Sequence, residues 1–68
     1  MINLWEYEYC GKVKLVDIDG RSYIGDAQEV TDKEERSDLE KQEDGITVNV
    51  DGNIVEFYIS EIDSIEKL

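Results

Sequence analysis

Residues 11–30 read Gly-Lys-Val-Lys-Leu-Val-Asp-Ile-Asp-Gly-Arg-Ser-Tyr-Ile-Gly-Asp-Ala-Gln-Glu-Val. Two runs with strand character flank Asp19-Gly20, a dipeptide that favours a tight hairpin turn because glycine accepts φ > 0 without steric cost. Val13 and Leu15 alternate with Lys12 and Lys14, the period of a half-buried strand. Asp17 falls on the same parity as Val13 and Leu15. Either a bulge near Val16 re-aims the chain, or Asp17 sits at an open end and Ile18 takes over as the apolar contact. After the turn, Tyr23, Gly25 and Ala27 share one face. A glycine inside a strand marks a bend or a close backbone approach, and a long strand bent at glycine is how a small sheet curls.

Outward from this hairpin the rest of the chain also reads as strand and turn. Ile46, Val48 and Val50 alternate with Thr47 and Asn49, and Asp51-Gly52-Asn53 is a second hairpin signal. In the strand that follows, Val55, Phe57 and Ile59 make one face. Ile54, Glu56 and Tyr58 make the other, which is also mostly apolar, so that strand needs a cover on both sides. Ser60 and Asp63 have the spacing of a capping box, predicting one helical turn there. Ile62 and Ile65, three apart, fit a 3₁₀ turn passing into a last short strand. At the N-terminus Trp5, Tyr7 and Tyr9 alternate with Glu6 and Glu8. That pattern predicts an extended segment with its aromatic face on the core, with a short helical turn around Leu4 and Trp5 as the alternative.

The stretch from Thr31 to Asp44 has Leu39 as its only large apolar residue. It has no apolar stripe for a helix to bury and reads as a mobile, solvated acidic loop over about residues 31–45. The order strand, strand, loop, strand, strand, turn, strand predicts an all-β fold closed as a five-stranded small barrel, one domain over residues 1–68.

Composition narrows the function classes. A chain of 68 residues buries only about 60% of its unfolded surface, so oligomerisation is a natural source of extra stability. Cys10 is the single cysteine and there is no histidine. This rules out an internal disulfide, opposes a thiolate zinc site, and leaves Cys10 a packing residue without the usual base. Asp17, Asp19 and Asp26 do not have EF-hand spacing, because Gly20 follows Asp17 by three positions. No cofactor, metal or catalytic residue is expected. With no signal peptide and no apolar span, the reading is a cytoplasmic protein. The net charge of −11 opposes binding to a phosphate backbone or an anionic membrane.

These elements together resemble the Sm-like (LSm) family of small SH3-like barrels. Gly11-Lys12-Val13-Lys14-Leu15, Asp19-Gly20-Arg21, Tyr23 and Gly25 look like the family's first strand, turn and glycine bend. Ile54 to Ile59, with Ile62 and Ile65, sit where its later strands fall. Phe57 to Ile65 is similar to short Sm-like proteins of Gram-positive bacteria and their phages. The resemblance implies a barrel and a tendency to associate through strand edges. Family members that bind RNA carry an Asp-x-x-Met-Asn-Leu pattern after the second strand and an Arg-Gly pair before the last. Here those places hold Thr31 to Arg36 and Ser60-Glu61, so the groups that would hold a base and its phosphate are replaced.

The expected function is a non-enzymatic interaction module that self-associates or docks a protein partner. Ile54, Glu56 and Tyr58, with Trp5 and Tyr7, form the candidate interface. Asp19, Gly20, Gly25, Gly52, Ser60 and Asp63 shape turns and bends. Sm-type RNA binding with degenerate motifs is one alternative. The other is an acidic decoy that mimics nucleic acid, drawing on the nine carboxylates and three basic residues between Asp26 and Asp44.

Overall fold

A computed structural model describes residues 2–32 and 43–68. The described residues form five strands, β1 (Gly11–Asp17), β2 (Ser22–Thr31), β3 (Gly45–Val50), β4 (Asn53–Tyr58) and β5 (Ile62–Lys67). One 3₁₀ turn covers Leu4–Tyr7 and another covers Ile59–Glu61. All pairings are antiparallel, in the spatial order β4-β3-β2-β1-β5. The fold is therefore all-β, but the hydrogen-bonded sheet is not closed as the sequence reading expects. β4 and β5 are its two outermost strands, joined in sequence by the second 3₁₀ turn. Most of the acidic stretch, residues 33–42, lies outside the described residues.

The core is made by inward-facing positions on every strand. Val13 and Leu15 of β1, Ala27 and Val30 of β2, Ile46 and Val48 of β3, Phe57 of β4, and Ile62 and Ile65 of β5 are all buried. Leu4 from the N-terminal turn completes the set. The half-buried Tyr23 ring lies 5.0 Å from Phe57 at 57°, a tilted aromatic contact that ties β2 to β4 across the core.

Two bulges explain departures from simple alternation. In β2, Ala27 pairs with Val48 and Val30 with Ile46, so Gln28 and Glu29 together oppose Thr47. The extra residue moves the inward set from odd to even positions and turns Val30 into the core. In the β1–β5 pair, Val16 opposes Ser64 and Asp17 opposes Ile62, which leaves Asp63 without a counterpart. The register shift anticipated near Val16 is present, with its extra residue on β5. It also corrects the reading of Ile62 and Ile65. The expected 3₁₀ turn passing into a last strand is present, at Ile59–Glu61 and Ile62–Lys67, but both isoleucines lie in the strand, where the extra residue lets positions three apart face the same way.

The first hairpin is organised by Asp17. Its Oδ1 accepts from the backbone N–H groups of Asp19 and Arg21, each at 2.9 Å, and Oδ2 accepts from the Tyr23 hydroxyl at 3.3 Å. Gly20 N–H donates to the Asp17 carbonyl at 3.0 Å and Gly20 has φ +85°. The connection is thus a three-residue loop, Ile18-Asp19-Gly20, with glycine in the left-handed position. Ile18 is not the apolar contact considered for it but stands 65% exposed. The second hairpin is the two-residue type, Asp51 and Gly52 having φ +52° and +87°, with Gly52 N–H donating to Asn49 Oδ1 at 2.9 Å.

Gly25 marks a close backbone approach. A Cβ added there would lie 2.2 Å from the Asn49 carbonyl oxygen. Only glycine lets β2 come so near β3 at that point.

The N-terminal segment is not an extended strand but a 3₁₀ turn over Leu4–Tyr7, the alternative reading of a short helical turn around Leu4 and Trp5. Asn3 starts it, its side chain accepting from Trp5 N–H at 3.3 Å. With three residues per turn, Leu4 and Tyr7 share a face and Trp5 points away. Leu4 is accordingly buried and Tyr7 half-buried, while Trp5 is 45% exposed and Tyr9 is exposed. Beyond the turn the chain is clipped to the β2 bulge. Tyr9 N–H donates to the Gln28 carbonyl at 3.1 Å, and Val30 N–H donates to Glu8 Oε2 at 3.0 Å. The polar backbone groups that the bulge releases from the ladder are satisfied there.

The capping prediction at Ser60 and Asp63 is corrected by two residues. Tyr58 precedes the turn, and Glu61 Oε1 accepts its N–H at 3.0 Å. Ser60 lies inside the turn, donating its N–H to Glu43 Oε1 at 2.8 Å, and Asp63 is exposed on β5. β4 ends at Tyr58 and the turn begins at Ile59, so the residue before the turn is Tyr58 and the serine already lies within it.

Candidate interaction edges

β4 is built by the Asp51-Gly52 turn, which sets an unbroken register from Val50↔Asn53 to Gly45↔Tyr58. Alternation along it sends Val55 and Phe57 inward and Ile54, Glu56 and Tyr58 to the outer face. Ile54, opposite Asn49, is 63% exposed. Glu56 is exposed opposite Thr47, and Tyr58 is half-buried opposite Gly45. The N-terminal aromatics do not cover Ile54. Their turn packs against β2, and the Tyr7 ring lies 5.7 Å from Lys67 Nζ at the end of β5. Ile54, Glu56 and Tyr58 thus share one strand face, while Trp5 and Tyr7 stand on a different element.

The two outermost strands differ in how they are protected. β5 carries the bulge at Asp63, and its exposed positions are Asp63, Ser64, Glu66 and Lys67. Bulges and charges of this kind are the usual guards of a sheet edge. β4 has no bulge; Glu56 is its one charged residue, and beside it stands the exposed Ile54.

Two concavities accompany these edges. A shallow apolar depression of about 370 Å³ is lined by Ile2, Ile59, Ser60 and Ile62, directly following β4 in the chain. A more polar groove of about 550 Å³ lies between the start of β2 and the β3–β4 turn, with Lys12, Ile24, Asp26, Asn49 and Asp51 among its walls. It exists because β2 pairs with β3 only from Asp26 onward. Among the described residues no three His, Cys, Asp or Glu side chains converge on a metal position, and no helix is long and apolar enough to cross a membrane. Cys10 is half-buried and packs against the core.

The residues that organise this architecture without appearing among the predicted sites are Asn3, Glu8, Asp17 and Glu61. Asp17 had a readable signal, an aspartate three residues before a glycine at a turn. Glu8 had none, because its partner Val30 is 22 positions away.

Comparison with protein-family models, with curated proteins and with solved structures finds no match to this chain.

Proposed function

We infer that this protein is a non-enzymatic, Sm-like interaction module that works by pairing strands at its open sheet edges, with a second copy or with a protein partner. The observation that carries the reading is β4, an outermost strand in continuous register with an exposed Ile54. Backbone groups along such an edge form a template for another strand. The strand order and the glycine at the β2–β3 approach support kinship with SH3-like barrels, and the first-motif residues Gly11 to Gly25 support the Sm-like form of it. Nucleic acid is not part of this reading. The family's RNA-binding positions are replaced at Thr31–Arg36 and Ser60-Glu61, and the Glu61 carboxylate is occupied with the Tyr58 amide.

The test combines solution mass by light scattering, at low and high salt, with titration of extended peptides of either charge. A mass above the 7.9 kDa of one chain that falls in Ile54→Asp, or binding of an extended peptide at the sheet edge, is the expected result. A one-chain mass at both salts, together with no peptide binding, overturns the reading.

A further inference from the structure

We propose that the β4 edge takes an extended, lysine- or arginine-bearing segment of another protein as a sixth strand. This rests on the edge-pairing reading above and chooses between its two kinds of partner.

The choice follows from where the charge lies. From Glu43 to Glu66 the chain has seven carboxylates and no lysine or arginine. That stretch contains all of β3 and β4 and all of β5 but its last residue. The cations among the described residues are Lys12, Lys14, Arg21 and Lys67, which lie on β1, at the start of the second arm of the first hairpin, and at the end of β5. Both outer strands are therefore on the anionic part of a chain whose net charge is −11. Pairing β4 of one copy with β5 of another sets this stretch against itself, and like charges on facing strands are destabilising. A basic strand meets the same edge with opposite charge, which raises both affinity and encounter rate.

The two faces of the edge define the rest of the ligand. Side chains of an added strand alternate between faces. On the inner side they continue the layer of Val55 and Phe57, so apolar residues fit there. On the outer side they flank Ile54, so long basic residues fit, their stems covering Ile54 and their charges held out in the field of a chain whose net charge is −11. Past Tyr58 the chain forms the apolar depression of Ile2, Ile59 and Ile62, which offers a seat for a terminal apolar side chain. β5 is the poorer acceptor, since its bulge interrupts the register at Asp63.

The probe is a fluorescein-labelled synthetic peptide of about eight residues alternating valine and lysine, the length of an ordinary strand. Three comparisons accompany it: the same peptide N-methylated at alternate backbone nitrogens, a valine–glutamate peptide, and the Ile54→Lys variant. Anisotropy reads affinity and amide hydrogen exchange reads location. The expected result is saturable binding that weakens as salt rises from about 50 to about 500 mM. N-methylation lowers affinity about tenfold or more by removing strand hydrogen bonds. Ile54→Lys lowers it about tenfold, the valine–glutamate peptide does not bind, and new amide protection falls on residues 53–58. Should Ile54→Lys fail to fold, the peptide comparisons decide alone.

Equal binding of the N-methylated peptide overturns the proposal, because charge attraction without strand pairing would then suffice. Equal binding of the valine–glutamate peptide, or protection confined to residues 62–67, overturns it as well. A mass above one chain with residues 53–58 already protected before peptide is added overturns it while upholding edge pairing between copies. No binding of any peptide and a one-chain mass removes both.

Discussion

Asp17 shows how one short side chain sets a hairpin. Three donors, the amides of Asp19 and Arg21 and the hydroxyl of Tyr23, converge on its carboxylate. Asp17→Ala leaves them without that acceptor and is expected to cost about 1–3 kcal/mol. Asp17→Asn, which keeps an oxygen in place, is expected to cost less. Urea unfolding of the three proteins measures both, and equal midpoints for wild type and Asp17→Ala would refute the assignment. Gly25 is the stricter case. An alanine there meets the carbonyl of Asn49 at 2.2 Å, a backbone atom that moves only with β3 itself. Gly25→Ala is expected to cost about 3 kcal/mol or more, the upper range for overpacking. A domain of this size has about 3–10 kcal/mol in total, so the variant should lose a large share of its stability and melt at a clearly lower temperature by circular dichroism. A native spectrum and an unchanged melting temperature would count against the close approach.

At the scale of elements, the N-terminal segment is a plug and a clip rather than an extended segment with its aromatic face on the core. Leu4, 1% exposed, carries the burial, and Glu8 and Tyr9 satisfy the bulge of β2. Leu4→Ala is therefore expected to destabilise by about 2–5 kcal/mol, whereas the far larger deletion Trp5→Ala is expected to cost under about 1 kcal/mol. Chemical denaturation of the pair, followed by circular dichroism so that loss of the tryptophan does not matter, would show the ranking. The reverse order would mean that the turn is rotated to bury the indole. The two bulges have a similar importance. Without the β2 bulge the parity that buries Ala27 would turn Val30 outward, and without the β5 bulge Ile62 and Ile65 could not both face the core.

For the whole molecule, charge and edge exposure set the behaviour. A net charge of −11 on a chain this small opposes compaction by self-repulsion, which salt screens over about 10 Å at 0.1 M. The melting temperature of the isolated protein is expected to rise as sodium chloride increases from about 0.02 to about 0.5 M. A fall would mean that attractive ion pairs outweigh repulsion. The same repulsion works against association between copies, while a basic partner relieves it. Under the proposed reading, the exposed Ile54 offers a strand edge to either kind of partner, and it is the acidic charge that favours a basic one.

What the sequence by itself determined is local and periodic. Alternation at Val13, Leu15, Ile46, Val48, Val55 and Phe57 placed the strands and their inward faces, since a period of two is legible wherever one face is dry. The glycines at positions 20, 25 and 52 marked two turns and a close approach, because their backbone requirements leave few other residues. Only the tertiary structure decided the rest. Whether the sheet closes depends on whether its two outermost strands, β4 and β5, come within hydrogen-bonding distance, which no local pattern encodes. The bulges at Gln28-Glu29 and at Asp63 exist through strand register, so the inward turn of Val30 and the placing of both Ile62 and Ile65 in one strand are not legible from periodicity. The choice of Leu4 over Trp5 for the core turned on three residues per turn in place of two. The cap at Tyr58 and Glu61 depended on where β4 stops pairing with β3. The open edges and the bulges were settled by hydrogen bonds between strands distant in sequence, while the N-terminal turn and the Tyr58–Glu61 cap are local bonds whose position follows from where those strands begin and end.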